Sequence, residues 1–230
     1  MDFALLKEDL KTKGIKFYYE DDAVGIICSD CCLVLPLIPD KSIDLVLTDP
    51  PYGIELCYGE YRDSQENLIG LIKDCLADIR RISKRTLITC GVLNQWLYPQ
   101  PDWVLAWFIP TTNSGSSKWG FSCWQPILAY GTDPYLANGL GRRMDTITGM
   151  SKRLLEFAHP CAKPLDIWQK VILRGSISKN DIILDPFLGS GTTAEASKNL
   201  NRKCIGIEIE EKYCEIAAKR CQQGVMRLDI

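Results

Sequence analysis

Apolar positions along the 230-residue chain follow two periods. Apolar runs read as strands at residues 24–28, 43–48, 86–90, 104–109, 126–131, 181–187 and 203–209, and the run at 43–48, apolar on both faces, as a buried parallel one. Between them, 64–82 (SQENLIGLIKDCLADIRRI) has Leu68, Ile69, Ile72, Leu76 and Ile79 on one side of a helix. Further helices are predicted at 163–176, along the stretch after Gly191, and at 210–221, with a helical turn at 31–35 and an amphipathic start, MDFALLKEDLKTKG. Strands alternating with helices predict an α/β fold around a mostly parallel sheet with helices on both faces. The pattern lapses after Pro110. Residues 111–122 and 131–156 are rich in turn formers and read as long loops, which on a compact α/β domain usually carry function.

Two stretches break the apolar pattern at strand ends. In SIDLVLTDPPYG the strand stops at Pro50 and Pro51, which stiffen the exit and leave carbonyls free, with Asp49 and Tyr52 beside them. Carboxyl ends of strands are where open α/β sheets bind ligands. In ILDPFLGSGTTAEA a glycine-rich loop joins a strand to a helix, and its amides can hold an anion. The loop lacks the lysine of a phosphate-binding GxxxxGK[ST] motif, which disfavours a nucleotide phosphotransferase. Glu208 ends the next strand, at an offset from Asp185 that suits a carboxylate on ribose hydroxyls. A ligand with a ribose and an anionic group but no pyrophosphate fits both features, as S-adenosylmethionine does.

Composition and charge narrow the picture. The formal net charge is −2, so the chain is no polycation, although Arg80, Arg81, Lys84 and Arg85, and then Arg142, Arg143, Lys152 and Arg153, form two local basic clusters. No apolar run reaches the roughly 20 residues that span a bilayer, and the start lacks a signal-peptide core, so a cytoplasmic protein is expected, without a membrane partner. Eleven cysteines, an odd number without an export signal, predict free buried thiols. Cys28 and Cys31 form one CxxC, with Cys32 beside it; two further zinc ligands at motif-like spacing are missing and His159 is distant, so no metal is expected.

Together, DPPY and DPFLGSGTT resemble the S-adenosylmethionine-dependent amino-methyltransferases of DNA. The catalytic motif precedes the cofactor loop, as in the circularly permuted beta class. CSDCCLVLPLIPDKSIDLVLTDPPYG, HPCAKPLDIWQKVI and IGIEIEEKYCEIAAKR are similar to other parts of that family, and the resemblance covers about 24–109 and 157–222. It implies a Rossmann-like methyltransferase fold in one domain, 1–230, with 111–156 as a target-recognition insertion. It implies a catalytic group of Asp49, Pro50, Pro51 and Tyr52. It implies a cofactor group of Asp30 on the adenine, Lys163, Asp185 near the amino group, Phe187, Gly189, Ser190, Gly191, Thr192 and Glu208. Asp49 and the Pro50 carbonyl would accept hydrogen bonds from an exocyclic amine of a base flipped out of duplex DNA, with Tyr52 stacked on it. Trp119, Phe121 or Trp124 would close its other face.

An acid at Asp49 goes in the family mostly with adenine N6, so a site-specific adenine methyltransferase of the restriction-modification kind is the leading expectation. Cytosine N4 is the nearest rival; an RNA substrate and a catalytically silent DNA-binding subunit are more distant. The family often has HPTQKP where this chain has HPCAKP, and a glutamate where it has Gln125. The short recognition segment implies that few bases are read, or that a dimer or partner subunit completes the footprint.

Overall fold

The computed structural model describes residues 2–58, 61–110, 116–117, 119–149 and 163–223. The chain opens with α1 (Phe3–Thr12), whose first turn is capped by the Asp2 carboxylate on the N–H groups of Ala4 and Leu5. β1 (Tyr19–Glu20), β2 (Val24–Cys28), α2 (Cys31–Val34) and β3 (Leu45–Thr48) follow. The ribbon of β4 (Leu56–Tyr58) and β5 (Tyr61–Asp63) leads to α3 (Gln65–Ile82), β6 (Arg85–Thr89) and β7 (Trp103–Phe108). A second ribbon, β8 (Ser116–Ser117) and β9 (Gly120–Phe121), precedes β10 (Trp124–Gly131), α4 (Pro134–Ala137) and β11 (Thr146–Thr148). The last part is α5 (Leu165–Gly175), β12 (Ile182–Asp185), α6 (Thr192–Asn199), β13 (Lys203–Glu208) and α7 (Glu211–Gln222).

Nine strands form one sheet in the order β1-β2-β13-β12-β3-β6-β10-β7-β11. β2, β13, β12, β3 and β6 are mutually parallel, whereas β10 is antiparallel to both β6 and β7. Side chains of a strand alternate between faces, and both faces here are covered. Val46, Ile182 and Leu184 pack with Leu6, Ile79 and Ile82 of α1 and α3, while Leu45, Leu47 and Ile183 pack with Ile167, Trp168 and Val171 of α5. This double burial explains why β3 and β12 are apolar up to their last residues, Thr48 and Asp185.

The stretch 111–156 is less separate than a pure insertion. β10 lies inside the sheet, between β6 and β7, and β11 pairs with β7 at the edge. Outside the sheet are the β8–β9 ribbon and the turns around α4. The first basic cluster is committed to structure. Arg81 pairs with Asp40 and Asp78, Lys84 with Asp44, and Arg85 donates to the Gly175 carbonyl. In the second cluster Arg142 and Arg143 are exposed, while Lys152 and Arg153 fall outside the described residues, as do His159, Cys161 and Ala162. No helix among the described residues is long and apolar enough to cross a membrane.

Candidate active site

The parallel strands end on one edge of the sheet, and the register brings their last residues side by side. Glu208 stands opposite Cys28, Asp185 opposite Gly206, and Thr48 opposite Ile88. The two polar stretches singled out in the sequence therefore meet. Thr48 Oγ1 donates to Asp185 Oδ1 at 2.7 Å, across 137 positions of chain.

Asp49 leaves the end of β3 half-buried, with both carboxylate oxygens engaged. Tyr52 Oη donates to Oδ1 at 2.5 Å, and Thr89 Oγ1 donates to the same oxygen. Lys163 Nζ lies 2.7 Å from Oδ2 and 3.1 Å from Tyr52 Oη, over the Tyr52 ring at 4.9 Å. The sequence placed Lys163 among the cofactor residues. In the structure its Nζ faces Asp49, and its carbonyl accepts Thr192 Oγ1 of the glycine loop at 3.4 Å. Burial and the neighbouring Asp49 push the Tyr52 phenol well above its ordinary pKa, so it stays a donor at neutral pH. Any ligand donor that reaches Asp49 must displace or share these contacts, and a ring stacked on Tyr52 would compete with the Lys163 ammonium.

The loop after Asp49 is gripped from two sides. Gly53 has a φ of 69°, in the region that favours glycine, and a Cβ there would lie 2.9 Å from the Asn94 amide nitrogen. Asp63, buried at the end of β5, accepts the N–H groups of Gly53 at 2.5 Å, Tyr52 at 3.2 Å and Ile54 at 3.4 Å. Asn94 donates to the carbonyls of Tyr52 and Gly53 at 2.6 and 3.1 Å. Asp63, Asn94, Thr48 and Thr89 are site residues that sequence reasoning missed. Thr89 reaches Asp49 only through the pairing of β3 with β6, and Thr48 reaches Asp185 only through that of β3 with β12.

Asp185 is buried and accepts from Thr48, from Thr193 Oγ1 at 2.5 Å and from the Phe187 N–H at 3.0 Å. Thr193 in turn accepts from Trp168 Nε1 at 2.9 Å. Burial is the largest influence on Asp185 and raises its pKa from 3.8 to about 6. The folded chain then holds a proton that the unfolded chain has lost, so stability is lost as pH rises from about 4 through about 6. The shift corresponds to about 3 kcal/mol. Asp185→Asn should remove that fall, read as the difference between wild-type and variant urea midpoints at pH values on either side of the window.

Glu208 accepts the N–H of Gly189 at 2.8 Å on one oxygen and that of Glu210 at 2.9 Å on the other. Each oxygen keeps a lone pair for a further donor. Burial raises its pKa as well. Gly191 has a φ of 86°, and a Cβ there would lie 2.6 Å from the Ala217 Cβ, so this turn admits only glycine. The Ser190 and Thr192 hydroxyls turn inward to Arg220 Nη1, at 3.1 and 3.2 Å. Phe187 is half-buried against the core, and exposed Asp30 caps α2 through the Cys32 N–H at 2.9 Å.

The edge thus presents Asp30 and Glu208 at one end, a buried acid in the middle and a rigid carboxylate with free proline carbonyls at the other. Such an arrangement can hold a ribose and a cationic group beside an acceptor site for amine protons.

Comparison with known proteins agrees with this geometry. A family model described as DNA methylase, for N6 and N4 methyltransferases, matches residues 105–219. Type II methyltransferase M2.LlaDCHI of Lactococcus lactis subsp. cremoris is 47% identical over 88 residues, which span 36% of this chain and 32% of the relative. DNA adenine methyltransferase YhdJ of Escherichia coli K12 is 26% identical over 257 residues, covering 92% of this chain and 85% of the relative. Among solved structures, the cytosine-N4-specific PvuII DNA methyltransferase superposes with a TM-score of 0.72 at 16% identity, covering 94% of this chain and 91% of that one. The M1.HpyAVI–SAM complex superposes with a TM-score of 0.61 at 20% identity, covering 86% and 98%.

Proposed function

Because the chain belongs to the N6/N4 DNA methylase family, whose members use S-adenosylmethionine, we propose that it methylates the N6 amine of adenine at specific sites in duplex DNA. The observation that carries this reading is the Thr48–Asp185 hydrogen bond, which ties the end of the acceptor strand to the end of the cofactor strand. S-adenosylmethionine, when bound, supplies an electrophilic methyl group on a sulfonium.

The residues present fit that ligand. Glu208 retains acceptor capacity for ribose hydroxyls, and Asp30 lies on the neighbouring strand end for the adenine. Asp185 is a buried acid that gains by meeting a cationic amino group. Phe187 offers an apolar face, and the backbone of Gly189 to Thr192 lines the side where a carboxylate would sit.

At the other end, Asp49 and the Pro50 carbonyl accept the two protons of the target amine. That draws its lone pair out of the ring and fixes its direction. Prolines 50 and 51, gripped by Asp63 and Asn94 through the residues that follow, hold these acceptors before the substrate arrives, so little reorganisation is left for the reaction. Lys163 positions the Asp49 carboxylate from the far oxygen and gives way as the amine binds. The Tyr52 ring, now faced by the Lys163 ammonium, stacks on the extruded base.

Trp124 is the best placed of the three candidate aromatics for the opposite face. It starts β10, directly beside β6, whose end carries Thr89, while Trp119 and Phe121 belong to the outlying β8–β9 segment. The β8–β9 ribbon and the turns around α4 are the parts of 111–156 that read the DNA sequence.

Methylation of cytosine N4 uses the same acceptor geometry, and the fold likeness to a cytosine-N4 enzyme does not choose between the bases. The acid at Asp49 favours adenine. Unmethylated duplex DNA of mixed sequence, incubated with protein and S-adenosylmethionine and digested to nucleosides, should yield N6-methyladenine by mass spectrometry. N4-methylcytosine as the product would overturn the base assignment and leave the mechanism in place.

A further inference from the structure

The CxxC pair visible in the sequence does not close on itself. Cys28 is exposed and lies beside Cys214 of α7. Cys31 and Cys32, at the start of α2, instead meet Cys75 from the middle of α3. Cys75 Sγ is 3.7 Å from Cys31 Sγ and 3.2 Å from Cys32 Sγ, and all three sulfurs lie within 4.8 Å of one another. This is the sole group of three or more metal-ligating side chains so gathered among the described residues.

We propose that Cys31, Cys32 and Cys75 form a binding site for a thiophilic d10 cation, of which zinc is the common example. The distances fit. A cation 2.3 Å from each sulfur at tetrahedral angles sets the sulfurs about 3.8 Å apart. The Cys31–Cys75 pair already has that spacing, and the Cys32–Cys75 pair needs to open by about half an ångström. The donor set is all sulfur, which selects soft or borderline cations over magnesium or calcium. Cys31 and Cys75 are buried and Cys32 is partly exposed, so the trio has a fixed floor and one open side through which a cation enters and a fourth ligand can come. Binding exchanges three S–H bonds for three S–metal bonds and releases three protons to solvent.

The trio would clamp α2 to α3. Asp30 accepts the Cys32 N–H, so the clamp is one residue from the acid assigned to the cofactor adenine. That last link rests on the methyltransferase reading; metal binding itself does not.

The test is titration of the reduced, chelator-stripped full chain with cadmium, followed through its ultraviolet thiolate charge-transfer band, and with zinc in competition against a chromophoric chelator. One tight equivalent per chain is expected. Cys75→Ser and Cys32→Ser should each weaken it by about 100-fold or more, the upper end of what even outer-shell losses cost. Cys123→Ser, an exposed thiol elsewhere, should not. Should Cys75→Ser fail to fold, alkylation of the wild type with and without zinc decides the matter by peptide mass spectrometry, with protection expected at Cys31, Cys32 and Cys75 together. No tight equivalent, or one unaffected by both variants, would overturn the site. So would peroxide-driven closure of a Cys32–Cys75 disulfide in a chain that takes up no metal.

Discussion

Replacing Asp49 by alanine should lower methyl transfer by about 10³-fold or more, with the affinity for S-adenosylmethionine held within about threefold. The carboxylate is the group best placed to accept from the target amine, and its charge has no replacement beside it. Thr89 and Tyr52 offer only neutral hydroxyl oxygens as acceptors, and Lys163 carries only donors. The proposed cofactor residues, Glu208 at the end of β13 and Asp30 at the start of α2, lie away from β3 and keep their contacts. Asp49→Asn tests the same claim more finely. It preserves shape and one acceptor oxygen but presents an NH₂ group to either the Lys163 ammonium or the hydroxyl donors. A rate between alanine and wild type is expected, with thermal stability close to wild type. Single-turnover rates and calorimetric cofactor titrations check both variants. Alanine activity within tenfold of wild type would remove Asp49 from the reaction.

Asp63→Ala should damage the protein in two separable ways. The side chain is fully buried and holds three consecutive N–H groups of the catalytic loop. Without it those donors are orphaned, at a cost of about 2–4 kcal/mol in stability. The loop then also loses the fixed direction of the Asp49 and Pro50 acceptors, and a misplacement of about 1 Å costs about 10²-fold in rate. Asp63 is sealed from solvent with its carboxylate taken up by the loop N–H groups, so the role assigned to it is positioning. Its signature is a fall in kcat with little change in cofactor affinity, partly restored by Asp63→Asn, which keeps one acceptor oxygen. Urea denaturation measures the first effect and single-turnover kinetics the second. A variant that loses stability but keeps kcat would make Asp63 a purely structural residue.

Much of this site was legible because its chemistry sits in two contiguous stretches. TDPPYG and DPFLGSGTT each mark a strand end, and parallel strands covered on both faces advertise themselves as unbroken apolar runs. What the sequence hid was lateral. Thr48 and Thr89 look like ordinary strand residues until β3 is paired with β12 on one side and β6 on the other, and Asp63 is a carboxylate in a short ribbon with no motif around it. Lys163 was read as a cofactor residue from the likeness of Lys163-Pro164 to the family's Lys-Pro; its contact with Asp49 depends on side-chain reach to the end of β3, which chain position does not show. The antiparallel insertion of β10 between β6 and β7 was equally invisible, since an apolar run carries no direction. The cysteine trio shows the same limit: a metal-like spacing was sought along the chain, whereas the third sulfur comes from the helix that packs across α2.

The central claim is that one sheet edge holds both the methyl donor and an acceptor for amine protons. Its most direct test is a single turnover with S-adenosylmethionine labelled in the transferred methyl group, excess wild-type protein and unmethylated duplex DNA, with Asp49→Ala alongside. The account predicts label on an exocyclic amine of the DNA for the wild type, and unreacted labelled cofactor, still bound, for the variant. Label that remains on the cofactor in the wild type, with both cofactor and DNA bound, would contradict it.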